Sequence, residues 1–370
     1  MKYRNFGKTG CSVSTLGFGA MRMPTFEIDE KKYIDEEKAI SLIRAAIDMG
    51  VNYVDTAFFY HEGNSEGLVG KALKDGYREK TYVATKLPMW DVKCPDDFDR
   101  LLATQLERLD TDHIDFYLFH ALNRDHWKKV KDFGLIEKMK KAKAEGKVRH
   151  IGFSFHDDLE VFKTIVEEYD GCEFCQIQFN YLDTDYQAGI EGLKLAAEKG
   201  LGLVIMEPLR GGGLVSPDES IKAKLPEGKS PVEAALSYVW NFSQVSLLLS
   251  GMGTMEQLRE NAALADKYTE NSLSQEELSN FVEAKKAFDQ LELIPCTKCL
   301  YCKDCPKEID IPGIFAAFNL IATEGRRKVK EVMPDIEDRV RECIDCGACE
   351  KKCPQNIEIR KMFKRIRDSF

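Results

Sequence analysis

Along the first 265 residues, short apolar runs alternate with amphipathic stretches of helical period. Runs that read as strands cover residues 16–20, 52–55, 81–86, 114–119, 148–153, 175–179, 202–206 and 246–250. Between them, apolar positions three and four apart predict helices over 37–49, 95–109, 157–169, 187–199 and 231–240. Eight strands alternating with helices through short connections predict an α/β fold, a (β/α)8 TIM barrel rather than an open doubly wound sheet. Residues 3–10, which include Gly7-Lys8-Thr9-Gly10, predict a hairpin ahead of the first barrel strand.

After Asn261 the chain turns polar, and Ser274 with Glu277 carries a capping-box signature that opens a helix running to about residue 291. The expected organisation is therefore a barrel over 1–265, a helical linker over 266–295 and a small domain over 296–370. In that last part, 314–321 and 337–340 have helical spacing and no strand signal, which predicts an α-helical module. The 370 residues suffice for one large domain and an appendage. A formal charge of −9, with no segment combining basic clustering and stacking aromatics, argues against nucleic acid. The basic stretch 128–147 carries Leu135, Ile136, Met139 and Ala142 at helical spacing, so it reads as the solvated face of a helix. No apolar run reaches the 18 residues of a membrane span, and residues 1–10 hold no apolar signal region. A cytoplasmic location follows as the expectation, with thiols free or metal-bound.

The twelve cysteines then change the picture. Cys343, Cys346, Cys349 and Cys353 form a C-x2-C-x2-C-x3-C run closed by Pro354, and Cys296, Cys299, Cys302 and Cys305 form an earlier run closed by Pro306. Thiolates at these intervals can turn onto one face of an iron–sulfur cluster, and in two-cluster ferredoxins the fourth thiolate ligates the other cluster. Structural zinc is the alternative that C-x2-C pairs also suit. The expectation is two [4Fe–4S] clusters with crossed ligation. Cys172 and Cys175 offer a redox-active pair as one reading, but their place at the start of a strand favours two ordinary buried or surface thiols.

In a barrel, catalytic side chains stand at the C-terminal ends of strands. Asp55 ends the second strand, Tyr60 follows five residues on, Lys86 ends the third strand and His120 the fourth. These types suit one task, reducing a carbonyl by hydride while supplying a proton. A phenol titrates near 10, so Tyr60 needs a neighbouring cation to serve as general acid. Lys86 can supply it, Asp55 can orient the ammonium, and His120 can hydrogen-bond the carbonyl oxygen.

With Asn52-Tyr53-Val54-Asp55-Thr56-Ala57, Tyr60, Gly63-Asn64-Ser65-Glu66, Ala84-Thr85-Lys86, Phe119-His120 and Gly152-Phe153-Ser154 in this order, the chain resembles the aldo-keto reductases over about residues 1–265. Its cysteine tail resembles the iron–sulfur branch of that family. The resemblance implies an extended nicotinamide dinucleotide across the barrel mouth. No Rossmann fingerprint is present, and Gly19 of the lone Gly17-Phe18-Gly19 is a cofactor-binding candidate whose other reading is strand packing. By the resemblance Ser154 and Gln176 hold the carboxamide, and Met206 stands where the family stacks an aromatic on the nicotinamide. Leu209 with Gly211 to Gly213, and Gly251 to Thr254 including Gly253, cradle the phosphates. Thr254 with Gln257 reads as a capping box, so the following helix offers its N-terminal amides to an anion, and the resemblance has Glu260 and Asn261 face the adenine.

Met206 in place of the aromatic, Phe155 in place of the usual Asn after Ser154, and Gly251 and Gln257 in place of the basic 2′-phosphate clamps depart from the family pattern; Arg259 lies nearby. NADH, NADPH and flavin therefore all stay open. Electron counting sharpens the point, because clusters move single electrons, nicotinamide moves a hydride, and a flavin is the usual converter. The expected function is an NAD(P)H-dependent reductase of a small aldehyde or ketone. The alternatives are a cluster- and flavin-linked electron-transfer protein with a redox partner, or a redox-sensing nucleotide-binding scaffold. Substrate choice would lie in the mouth loops 21–35 and 120–126.

Overall fold

The computed structural model describes residues 1–29 and 31–370; Glu30, within the expected mouth loop 21–35, lies outside them. Among the described residues eight parallel strands close into a barrel in chain order: Leu16–Gly19, Tyr53–Asp55, Tyr82–Leu87, Ile114–Leu122, Val148–Phe155, Phe174–Gln178, Gly202–Met206 and Leu247–Ser250. Each falls on a predicted run. Their residues are buried almost throughout, which explains why they read as continuous apolar runs instead of alternating ones. The predicted helices appear as Glu36–Asp48, Asp97–Leu109, Leu159–Glu168, Gly189–Glu198 and Pro231–Trp240.

Two strand-level details differ from expectation. The N-terminal hairpin pairs Tyr3–Asn5 with Ser12–Ser14, so its second strand lies beyond residue 10 and residues 6–11 form the turn. A second hairpin, Thr25–Ile28 with Lys31–Ile34, occupies the loop after the first barrel strand. Its residues are mostly exposed, so no buried face produced a period for the sequence to display.

The N-terminal hairpin plugs the barrel floor. Phe6 is fully buried, edge-on to Phe116 at 4.8 Å and to Tyr53 at 6.0 Å. Burying such a ring contributes about 1.5–3 kcal/mol. Gly7 permits the approach, since a Cβ there would lie 2.2 Å from the Gly202 nitrogen, and its φ is +53°.

By its contacts the chain divides into two compact units, residues 1–208 with 236–273, and residues 209–235 with 274–370. The segment after the seventh barrel strand thus groups with the C-terminal part. The second unit has its own core of Ile314, Phe315, Phe318, Ile336, Phe363 and Ile366. Its helix Gln275–Gln290 opens with the predicted capping box, Glu277 N–H donating to Ser274 Oγ at 3.1 Å and Ser274 N–H to Glu277 Oε2 at 2.7 Å. The helices Ile311–Val332 and Ile336–Arg341 cover the predicted helical stretches, and Ala348–Lys352 and Ile359–Ser369 add two more.

Candidate active site and cluster centre

The mouth of the barrel gathers the four side chains singled out from the sequence. Lys86 is buried on the third strand, and its Nζ donates to Asp55 Oδ1 at 2.6 Å, Thr56 O at 2.8 Å and Tyr60 Oη at 3.5 Å. The ammonium also stands 5.0 Å from the centre of the Tyr60 ring. His120 is buried with its ring edge-on to Tyr60, centroids 6.2 Å apart.

Local backbone distortion aims two of these groups. The pairing of the fourth and fifth strands is irregular between Phe119 and Leu122, and Ala121 has φ +52°. Such a bulge re-aims a strand residue, here His120. After Tyr60 the backbone turns through His61 and Glu62, both with positive φ. Non-glycine residues in this region cost of order 1 kcal/mol or more and cluster at functional sites.

Burial dominates the titration of the site. It pulls Lys86 below the ordinary ammonium value against the raising effect of Asp55, and pushes the Asp55 carboxyl up against the lowering effect of Lys86. His120 is held well below the ordinary imidazole value by burial and then by Lys86, His156 and His126. A neutral His120 can donate one hydrogen bond without adding charge beside the ammonium.

The residues expected to hold a nicotinamide separate into two groups. Ser154 and Gln176 are register partners on the fifth and sixth strands, and Gln178 pairs with Met206 on the seventh. Ser154 Oγ accepts from Ala121 N–H at 2.7 Å. Gln176 Nε2 lies 3.7 Å from Met206 Sδ, while its Oε1 is buried with no hydrogen-bond partner among the described residues. An orphaned buried acceptor beside a serine hydroxyl fits the amide of a carboxamide. Gly19 ends the first strand opposite Asp55.

At the eighth strand's end, Thr254 Oγ1 accepts from Gln257 N–H at 3.3 Å, and Gln257 Oε1 accepts from Gly253 N–H at 2.8 Å, so the cap closes one residue earlier than a capping box would. Asn261 is buried, its amide donating to Ser250 Oγ at 2.9 Å, while Glu260 is exposed. Leu209 and Gly211 belong to the second unit. A Cβ on Gly211 would lie 2.1 Å from Thr297 O, so this loop packs on the first cysteine run.

Sequence reasoning gave no role to three neighbours. Trp90 packs edge-on to His120 at 5.0 Å and to His126 at 5.4 Å. Its place four residues after Lys86 was the available signal. Glu66, fully buried, accepts from Thr85 Oγ1 and Gln105 Nε2, both at 2.6 Å, and Gln105 Nε2 donates to Lys86 O, which braces the third strand behind the lysine. Arg22 lies against Gly251, with its Cβ 3.0 Å and its Cγ 3.4 Å from where a Cβ would stand.

In the second unit Cys296, Cys299, Cys302 and Cys353 line one cavity with apolar walls from Ile311 and Phe315. Burial, then the neighbouring Cys296 and Cys353, push the Cys302 thiol up to about 12. Cys343 is raised chiefly by burial, with Cys305 and Cys346 among its neighbours, and accepts from Asp345 N–H at 3.4 Å. Four thiols, Cys296, Cys299, Cys302 and Cys353, thus line one cavity. That donor set fits a cluster.

The aldo/keto reductase family model matches residues 15–286. The chain belongs to the aldo/keto reductase family. A 4Fe-4S dicluster domain model matches residues 295–358. Among solved structures, the chain is similar to the holo form of the aldo-keto reductase AKR11C1 from Bacillus halodurans, with a TM-score of 0.66 and 28% identity over 78% of this chain and 97% of that one. It also resembles an aldo/keto reductase from Klebsiella pneumoniae in complex with NADP and acetate, with a TM-score of 0.62 and 27% identity over 76% of this chain and 94% of that one. Curated relatives include the NADH-specific methylglyoxal reductase of Escherichia coli (strain K12), 27% identical over 71% of this chain and 93% of the relative, and L-galactose dehydrogenase of Arabidopsis thaliana, 26% identical over 77% and 94%. Among the described residues no helix is long and apolar enough to cross a membrane.

Proposed function

We propose that this aldo/keto reductase reduces a small aldehyde or ketone at the barrel mouth, with Tyr60 as the proton donor. The contact of the Lys86 ammonium with both Asp55 and Tyr60 carries this reading. The nicotinamide, when bound, supplies the hydride. Ser154 and Gln176 orient its carboxamide, and Trp90 walls the side on which a carbonyl compound would lie. His120 donates a hydrogen bond to the carbonyl oxygen and holds it near Tyr60 Oη. As negative charge grows on that oxygen, the Tyr60 proton moves to it and the Lys86 ammonium steadies the phenolate. Asp55 keeps the ammonium pointed at the phenol.

For the coenzyme we favour NADPH. The family's clamping positions hold Gly251 and Gln257, but the aliphatic stem of Arg22 packs over Gly251, so this arginine is the basic residue beside the clamping position. An always-charged planar fork suits a phosphate monoester. For the C-terminal unit, Cys296, Cys299 and Cys302 with Cys353 would hold one [4Fe–4S] cluster, and Cys343, Cys346 and Cys349 with Cys305 the other.

Anaerobically prepared protein should oxidise NADPH in the presence of a small aldehyde such as methylglyoxal, the substrate named for a relative, and Arg22→Ala should raise the KM for NADPH while changing that for NADH little. Absence of any nicotinamide oxidation across a panel of aldehydes and ketones would refute the reductase reading.

A further inference from the structure

A second constellation lies at the opposite, N-terminal end of the barrel. Cys11 sits in the turn of the N-terminal hairpin, His150 is the third residue of the fifth strand, and Glu173 immediately precedes the sixth. The Cys11 Sγ is 3.5 Å from His150 Nε2, and His150 Nδ1 is 2.8 Å from Glu173 Oε1. A carboxylate only accepts, so Nδ1 carries a proton, and in the neutral ring Nε2 then turns its lone pair to the sulfur. The imidazole is further fixed by stacking on Phe116 at 5.1 Å and 24°. Glu173 is itself held by Lys143 Nζ at 2.5 Å and Ile151 N–H at 3.1 Å. Burial would raise this carboxyl, but the bonds from His150, Lys143 and the Ile151 amide hold it below the usual carboxylate range, so it stays an acceptor.

Nucleophile, base and orienting carboxylate thus stand in line, within reach of one another. Cys11 and His150 are both partly exposed, so the thiol is not sealed in the core as Cys175 is. Nothing in carbonyl reduction at the other mouth uses these three residues.

We propose that Cys11 is a base-activated thiol and a site of S-thiolation by low-molecular-weight disulfides. His150 Nε2 takes the thiol proton, and the thiolate attacks one sulfur of the disulfide. A Cys11–sulfur bond forms as the disulfide bond breaks. The Cys11 sulfur is oxidised, and the departing half is reduced and leaves as a thiol with the proton from His150.

The test uses cluster-loaded full-length protein held anaerobically at neutral pH with glutathione disulfide, and follows each cysteine by peptide mass spectrometry. Cys94 serves as an internal reference, because it is exposed and faces the Asp97 carboxylate, a much weaker base than an imidazole. Cys11 should form the mixed disulfide faster than Cys94, and His150→Gln should slow Cys11 by about tenfold while leaving Cys94 unchanged. Glu173→Gln should slow Cys11 too, by less, and gives a second reading should His150→Gln fold poorly. A Cys11 that stays unmodified, reacts no faster than Cys94, or reacts equally fast in both variants overturns the proposal.

Discussion

Lys86 Nζ approaches Asp55 Oδ1 to 2.6 Å but Tyr60 Oη only to 3.5 Å, so the ammonium is anchored on the carboxylate and leans on the phenol. That asymmetry suits a cation whose partner must change charge, because the contact with Tyr60 can shorten as phenolate forms. Tyr60→Phe should therefore lower carbonyl turnover about a hundredfold or more and leave NADPH affinity nearly intact. Fluorescence titration of the coenzyme beside steady-state assays separates the two, and wild-type turnover in the variant would remove Tyr60 from its role.

Lys86→Met should fail in two ways. It removes the cation that favours phenolate, and it leaves the buried Asp55 carboxyl without its partner, a change that typically costs about 3–5 kcal/mol. Adding Asp55→Asn should restore much of the lost stability and none of the turnover. Thermal denaturation and assays on the single and double variants check this, and recovered turnover in the double variant would contradict the assignment of Lys86.

Which parts were legible in the sequence follows from where burial leaves a pattern. Strands such as 202–206 are buried on both faces, and they stood out as continuous apolar runs matching Gly202–Met206. The exposed hairpin Thr25–Ile28 with Lys31–Ile34 has no buried face and left no signal. Asp55, Lys86 and His120 could be placed because strand ends of a closed barrel share one mouth. Arg22 could not, since its approach to Gly251 depends on a fold contact between residues more than two hundred positions apart. The grouping of residues 209–235 with 274–370 is hidden for the same reason: the helix Glu219–Lys222 packs on Gln275–Gln290 across a long stretch of sequence.

Acid should weaken the barrel through its histidines. Burial holds His120 well below the ordinary imidazole value and lowers His156 to about 4. An unfolded chain binds protons at these sites near pH 6.5, so unfolding takes up protons and stability is lost as pH falls from about 6.5 towards 4. Above that window the contribution is fully present. Urea midpoints measured at steps between pH 7 and pH 5 should decline, and His156→Gln should flatten the decline. An unchanged slope in that variant would show that His156 titrates alike in both states.

Gly211 offers a stability test within the second unit. Its φ is +64°, and a Cβ would lie 2.1 Å from Thr297 O. Gly211→Val places a β-branched residue in a left-handed conformation and against the Thr297 backbone carbonyl, so the loop must move. The expected result is a lower thermal midpoint and faster release of iron to a chelator than in the wild type. Equal midpoints and equal release rates would mean that the loop relaxes without cost.

Crossed ligation can be decided by counting iron. The cavity lined by Cys296, Cys299, Cys302 and Cys353 draws its fourth thiol from the second run. If that set holds one cluster, Cys296→Ala with Cys353→Ala damages a single cluster, and iron should fall from about eight to about four per chain. Under crossing, Cys296→Ala with Cys305→Ala strikes both clusters and should remove nearly all iron. If each run instead holds its own cluster, the two outcomes exchange. Iron and sulfide analysis of the two double variants, purified anaerobically, reads the pairing directly. An unsubstituted chain with about four iron atoms, or with zinc alone, would show that the dicluster arrangement itself is absent.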